Sequence, residues 1–133
     1  MKIITVQTLL GLQLLNYLAN LAPKQRVNIA EVANYYRVSH YHLIKVVGRL
    51  SRMGYIQAYR GRGGGILLKQ SPDQVRLGQV IRTLEPCHTV IQADSKSSVK
   101  FYQSIEYILS IGREAFFIQL NEFTLVDLVI MSD

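Results

Sequence analysis

The chain has 133 residues, 49% of them hydrophobic and 18% charged, which supplies enough apolar material for one packed domain and argues against disorder. Fifteen Lys and Arg against nine Asp and Glu leave a formal charge of +6, so a polyanion suits it better than a neutral partner. No apolar run approaches the roughly 18–20 residues that span a bilayer, and the lone cysteine, Cys87, excludes an internal disulfide and fits a reducing cytoplasm.

Within Met1 to Leu21, the residues Leu9, Leu10, Leu12, Leu14, Leu15, Tyr17, Leu18 and Leu21 recur at helical spacing. They predict an amphipathic first helix that Pro23 ends. Gln7, Gln13 and Asn16 interrupt it, and the lack of a basic cluster or small-residue cleavage site sets it apart from a signal peptide. Asn28-Ile29-Ala30-Glu31 has capping-box form, in which Asn28 accepts the Glu31 amide and Glu31 reaches back. The short helix that follows turns Ile29, Val32, Ala33 and Tyr36 inward. Val38 enters a turn, and Ser39 caps a third helix from His40 to about Met53. Leu43, Val46, Val47 and Leu50 face inward there, and Gly54 supplies the left-handed residue after it.

Tyr55 to Arg60 reads as a strand, Gly61 to Gly65 as a turn, and Ile66 to Lys69 as the returning strand. Ser71-Pro72 breaks the pattern. A short helix from about Leu77 to Leu84 stops at Pro86, and a loop leads to a long helix, roughly Ser97 to Leu120. Its apolar stripe is Phe101, Ile105, Ile108, Leu109, Gly112 and Phe116. Thr124-Leu125-Val126-Asp127 opens a last helical turn or two by capping logic.

Helix, short helix, turn, helix and hairpin, in that order, make a winged helix-turn-helix domain. The expected fold is mainly α with a small β-hairpin. Ala33 is small enough for the close crossing of the two motif helices. One position departs: the turn residue that favours Gly is Arg37. A left-handed backbone there costs roughly 1–2 kcal/mol, so the turn is either strained or differently shaped.

Charge is placed unevenly. Residues 1–82 carry twelve Lys and Arg against Glu31 and Asp73 alone, whereas residues 83–133 carry three against seven acids. Arg37, Lys45, Arg49, Arg52, Arg60, Arg62 and Lys69 fall in the acid-free run between Glu31 and Asp73, interleaved with His40, His42, Tyr35, Tyr36, Tyr41 and Tyr59. The second motif helix of such a domain enters the major groove with its N-terminal residues at the base edges. Ser39, His40, Tyr41 and His42 are therefore the candidates for base contact, and Lys45 and Arg49 for phosphates. The histidines donate or accept according to protonation, which makes their reading pH-sensitive; the plainer alternative has them capping the helix and facing water. Zinc is a poor fit, because residues two apart on a helix do not share a face.

Arg60-Gly61-Arg62-Gly63-Gly64-Gly65 reads as a wing whose flexible glycines let Arg60 and Arg62 approach the minor groove or its phosphates. A plain solvent turn is the alternative. A nucleotide-binding loop would open a helix, and the strand-like Ile66-Leu67-Leu68 follows instead. No paired-carboxylate cleft, nucleophile triad or metal quartet is apparent, so no enzyme and no metal site are expected.

Val38-Ser39, Leu50-Ser51-Arg52-Met53-Gly54-Tyr55-Ile56, Arg60-Gly61 with Gly64-Gly65-Ile66, Leu84-Glu85-Pro86 and Thr124-Leu125-Val126-Asp127-Leu128 resemble the Rrf-type winged-helix regulators, NsrR- and IscR-like members in particular. The resemblance covers nearly the whole chain. It implies a bacterial, homodimeric transcription factor whose long C-terminal helix crosses its symmetry mate and sets two recognition helices on a pseudo-palindromic operator. Phe101, Ile105, Ile108, Leu109 and Phe116 would serve that dimerisation; packing within one chain is the alternative. In the sensing members, three cysteines after the Glu-Pro hold an iron–sulfur cluster. Here Gln92, Ser97 and Gln103 stand at those spacings, and the region near Leu9, which supplies a further ligand in some members, is apolar. Cluster ligation needs several thiolates, so no cluster is expected. Cys87, with His88 beside it, is read either as a small buried residue or as a lone redox-responsive or metal-contacting thiol.

These readings divide the chain into a winged DNA-binding domain (1–84), a degenerate sensor loop (85–96) and a dimerisation helix with a C-terminal segment (97–133). The expected function is a cytoplasmic, sequence-specific regulator of double-stranded DNA, a repressor more than an activator, with no cofactor and room for an unknown small effector. The alternative is a winged-helix module that binds a protein and not DNA.

Overall fold

The computed structural model describes residues 3–86 and 99–133. Cys87, His88, Gln92 and Ser97, and the part of the 85–96 loop beyond Pro86, lie outside the described residues. The helices are α1 (Val6–Ala19), α2 (Ile29–Tyr36), α3 (His40–Arg52), α4 (Leu77–Leu84), α5 (Val99–Leu120) and α6 (Leu125–Met131), with strands β1 (Ile56–Tyr59) and β2 (Gly65–Leu68) after α3. Pro72–Gln74 forms a single 3-10 turn where only a break was expected.

The first helix is shorter than its leucine pattern. Thr5 caps its start, and it closes at Asn20, whose side-chain amide donates to the Asn16 carbonyl at 2.8 Å, before Pro23 is reached. It is not amphipathic in the expected sense either. Leu10, Leu14, Leu15 and Leu18 are buried, and α1 packs against α2, α3, α4, α6 and β2. A helix touched from several sides uses apolar residues on several sides.

The inward residues of the helix-turn-helix lie as expected. Val32, Ala33, Leu43, Val46, Val47 and Leu50 are buried, with Ile29, Tyr36 and Val38 packed partly against them. Burying each such aliphatic side chain contributes on the order of 1.5–3 kcal/mol. The α2 cap forms one residue earlier than the sequence pattern implied: Asn28 Oδ1 accepts from the Ala30 amide at 2.8 Å, while the Glu31 amide donates to the Asn28 carbonyl.

Both motif helices end in the same way. After α3, the Tyr55 amide donates to Leu50 at 3.0 Å and the Gly54 amide to Ser51 at 3.1 Å, with Gly54 left-handed at φ 84°. After α2, the Val38 amide donates to Ala33 at 3.0 Å and the Arg37 amide to Asn34 at 3.3 Å. These are paired Schellman bonds. The second set needs a left-handed residue, and Arg37 adopts it at φ 54°, ψ 48°. Of the two alternatives for this turn, the strained one is realised.

β1 and β2 pair antiparallel, with Ile56 opposite Leu68 and Tyr59 opposite Gly65. Val27 adds a third, one-residue rung: its amide and carbonyl exchange hydrogen bonds with Ile66 at 3.0 and 2.9 Å. The C-terminal segment returns to the N-terminal unit. The Leu125 amide donates to Val75 and the Leu77 amide to the Phe123 carbonyl, both at 2.9 Å. Thr124 and Asp127 complete the predicted capping box, and Leu125 is fully buried in the common core. In contrast, α5 has one buried residue, Phe117, which lies outside the predicted stripe. Phe101, Ile108 and Leu109 are more than half exposed, and Ile105 and Phe116 are intermediate.

Candidate nucleic-acid interface

Ser39 begins the interface because its hydroxyl accepts from the His42 amide at 3.4 Å, which fixes where α3 starts. His40, Tyr41, His42 and Lys45 then lie exposed on the first turns of α3. Tyr41 is 63% exposed, its ring 5.6 Å from that of His42, and Lys45 Nζ sits 4.4 Å from the ring centroid. This cation–π contact holds the Lys45 ammonium beside the residues proposed to meet bases. A concavity of about 400 Å³ separates the helix start from the wing, lined by Asn28, His40, Tyr59, Arg60 and Gly61 among others.

Arg60 and Arg62 are exposed in that wing. The loop turns tightly: the Gly64 amide donates to the Gly61 carbonyl at 3.0 Å, and a Cβ on Gly64 would fall 2.5 Å from the Tyr59 carbonyl oxygen. The backbone therefore demands glycine at Gly64 on steric grounds alone.

Arg49, expected at phosphates, is engaged within the protein itself. Its Nη1 donates to the Leu84 carbonyl at 3.0 Å and its Nη2 to the Thr83 carbonyl at 2.7 Å, so the half-buried guanidinium satisfies the open end of α4. Two of the four tyrosines in the acid-free stretch also have other work. Tyr35 and Tyr36 pack edge-to-face with each other and with Tyr17 of α1, with centroids 4.9–6.2 Å apart, and burial raises the Tyr36 phenol above its ordinary pKa.

Two arrangements had no signal in the sequence pattern. Arg26, just outside the acid-free run, lays its guanidinium 3.5 Å above the Tyr59 ring and donates from Nη1 to the Gly63 carbonyl at 2.9 Å. At the C-terminal end of α4, beside the carbonyls that Arg49 holds, the Glu85 carboxylate accepts from the Thr5 amide at 3.1 Å and from the hydroxyls of Thr5 and Thr8, placing negative charge at the N-terminus of α1. Leu84-Glu85-Pro86 marked the spot, but only the fold reveals the two threonines as its partners. One turn earlier in α4, Arg82 grips Glu114 of α5 through two 2.7 Å hydrogen bonds and lies 4.7 Å from the Phe117 ring centroid. The hydrogen bond from Arg82 holds the Glu114 carboxyl below its ordinary range, with Coulombic attraction adding to it.

A model of the Rrf2 family, described as an iron-dependent transcriptional regulator, matches residues 4–130. The chain belongs to the Rrf2 family. Among solved structures, CymR (YrzC), the global cysteine regulator of B. subtilis, is 25% identical with a TM-score of 0.73, the match covering all of both chains. A transcriptional regulator from Listeria innocua is also 25% identical at a TM-score of 0.74, covering 98% of this chain and 88% of that one. T. potens IscR, at 22% identity and a TM-score of 0.73 over all of this chain and 89% of its own, shares the fold. Winged-helix architecture and the part of a DNA-binding transcription regulator thus come to this chain with its Rrf2 membership. No described helix is long and apolar enough to cross a membrane.

Proposed function

We propose that this Rrf2 chain is a sequence-specific repressor that binds double-stranded DNA as a homodimer in the bacterial cytoplasm, without enzymatic activity and without an iron–sulfur cluster. One observation carries the reading. The exposed start of α3 and the arginine-bearing wing flank a common concavity, in a stretch with no carboxylate between Glu31 and Asp73. Tyr41, His40 and His42 are the base readers, and Lys45, Arg60 and Arg62 meet phosphates or the minor groove. Arg49, tied to α4, is left out of the contact set and acts as a brace.

The test is duplex binding across a salt series, on fragments enriched from genomic DNA. Arg62→Ala should weaken every duplex and reduce the salt slope by about one unit. Tyr41→Ala should change which sequence is preferred. Equal losses on all sequences from both substitutions would contradict the division, and an affinity insensitive to salt would favour a protein-binding module. A reporter driven from a bound promoter should rise when the chain is deleted.

The family description names iron, but the donor set does not suit a cluster. The chain has one cysteine, and among the described residues no three His, Cys, Asp or Glu side chains converge. Gln103 stands exposed on α5 where the resemblance would place a thiolate. Near Leu9, the Thr8 hydroxyl is buried and committed to Glu85. Protein incubated anaerobically with iron and sulfide should stay colourless after desalting; stable visible absorption would refute this. Without a cluster, the readings left are constitutive binding, a small ligand held between helices, or regulation through a protein partner.

A further inference from the structure

We propose that Arg26 is the positioning residue of the wing, a clasp that holds the Arg60–Arg62 loop in the shape that meets DNA. The inference rests on the DNA-binding reading above and adds a residue to it. The β1–β2 ladder ends at the Tyr59–Gly65 pair, and the five residues between them are left to the turn. Three of those five are glycines, two of them left-handed (Gly61 at φ 83° and Gly63 at φ 71°). Glycine loses more backbone freedom on ordering than any other residue. A loop of this composition would have to be ordered at the moment of binding, which weakens association.

Arg26 supplies the missing order from 37 residues away in sequence. Its root is fixed, because the next residue, Val27, is buried and doubly hydrogen-bonded to Ile66. From there the guanidinium covers Tyr59 at the end of β1 and reaches the Gly63 carbonyl at the wing tip. Stacking and in-plane donation at once require a planar, forked cation, and a lysine ammonium cannot do both. Both acceptors are uncharged, so the residue keeps its positive charge. A direct phosphate contact is therefore the competing role, and lysine would serve that role nearly as well.

The experiment compares wild type with Arg26→Lys in the full chain, on the duplex that the wild type selects. Arg26→Lys should bind about fivefold more weakly, the scale of one cation–π contact, with the salt slope unchanged. Tyr59→Ser should match that loss. In free Arg26→Lys, the Gly64 amide, protected by its bond to Gly61, should exchange faster. In a background carrying Arg60→Ala and Arg62→Ala, Arg26→Lys should cost nothing further, because the loop being positioned no longer carries its contacts. Wild-type affinity in Arg26→Lys, unaltered Gly64 exchange, or a full loss that persists without the wing arginines would overturn the proposal. If the wild type has no salt-dependent duplex affinity, the DNA reading itself fails and takes the clasp's purpose with it. Gly64 exchange would then still report whether the tie exists.

Discussion

At the residue scale, the turn of the helix-turn-helix motif shows how tertiary demand overrides local preference. The bonds from Val38 to Ala33 and from Arg37 to Asn34 require a left-handed backbone, and the chain accepts it at an arginine. Arg37→Gly removes the Cβ clash, worth roughly 1–2 kcal/mol, and gives back part of it through the greater freedom of unfolded glycine. The net expectation is a gain of about 0.5–1 kcal/mol, read as a higher urea midpoint at unchanged m-value. A lower midpoint would mean that the Arg37 side chain stabilises the turn by more than the strain costs. At Gly54 the same geometry is met by a residue that carries no such strain.

At the element scale, the α4–α5 contact makes a pH-dependent prediction. Glu114 is held below its ordinary value of 4.5 by the hydrogen bonds of Arg82. A carboxyl depressed in the folded state stabilises above its unfolded pKa and loses that contribution as pH falls through the folded one. Wild type should therefore be slightly more stable than Glu114→Gln at pH 7, and the difference should vanish as the pH drops below the ordinary carboxylate range. The effect is small because both side chains remain solvated. Urea midpoints at pH 7, 5 and 3 check it; a difference that does not change with pH would remove the electrostatic explanation.

The same scale separates what could be read in advance from what could not. The bounds of α3, α4 and the hairpin follow from apolar periodicity and from punctuation by Ser39, Gly54 and Pro86, all local signals. The capping box at Thr124 was likewise legible. The length of α1 was not, because leucines continue past its end at Asn20 and only the packing of neighbouring helices says which of them are used. Arg49 and Arg26 share a composition-level description with Arg60 and Arg62. What distinguishes them is a carbonyl group 34 to 37 residues distant in the chain, at Thr83 and Leu84 or at Gly63. Such bonds leave no periodic trace.

At the scale of the whole molecule, α5 is the conspicuous surface. Val99, Phe101, Tyr107, Ile108, Leu109, Ile111 and Ile118 are all more than half exposed. Monomeric proteins rarely leave contiguous apolar patches above a few hundred Å² uncovered, and in the proposed homodimer a second copy of α5 would cover this one. Wild type should sediment as a dimer, and Leu109→Glu as a monomer that loses at least tenfold in affinity for a site with two half-sites, since each half then binds alone. A monomeric wild type would leave the exposed stripe to another occupant.

The long helix is fixed to the body of the chain at its C-terminal end, through Glu114, Phe117 and the Asn121 side chain that accepts from the Gln79 amide. From Val99 to Glu114 it runs as a lever of about 22 Å, so a tilt of some 10° at the fulcrum swings its tip by roughly 4 Å, close to the rise of one base pair. In the proposed dimer, joined along these helices, the packing around Phe117 would help set the gauge of the two reading heads, and a change of one methylene there would be expected to alter the operator spacing before it altered any side chain that touches DNA.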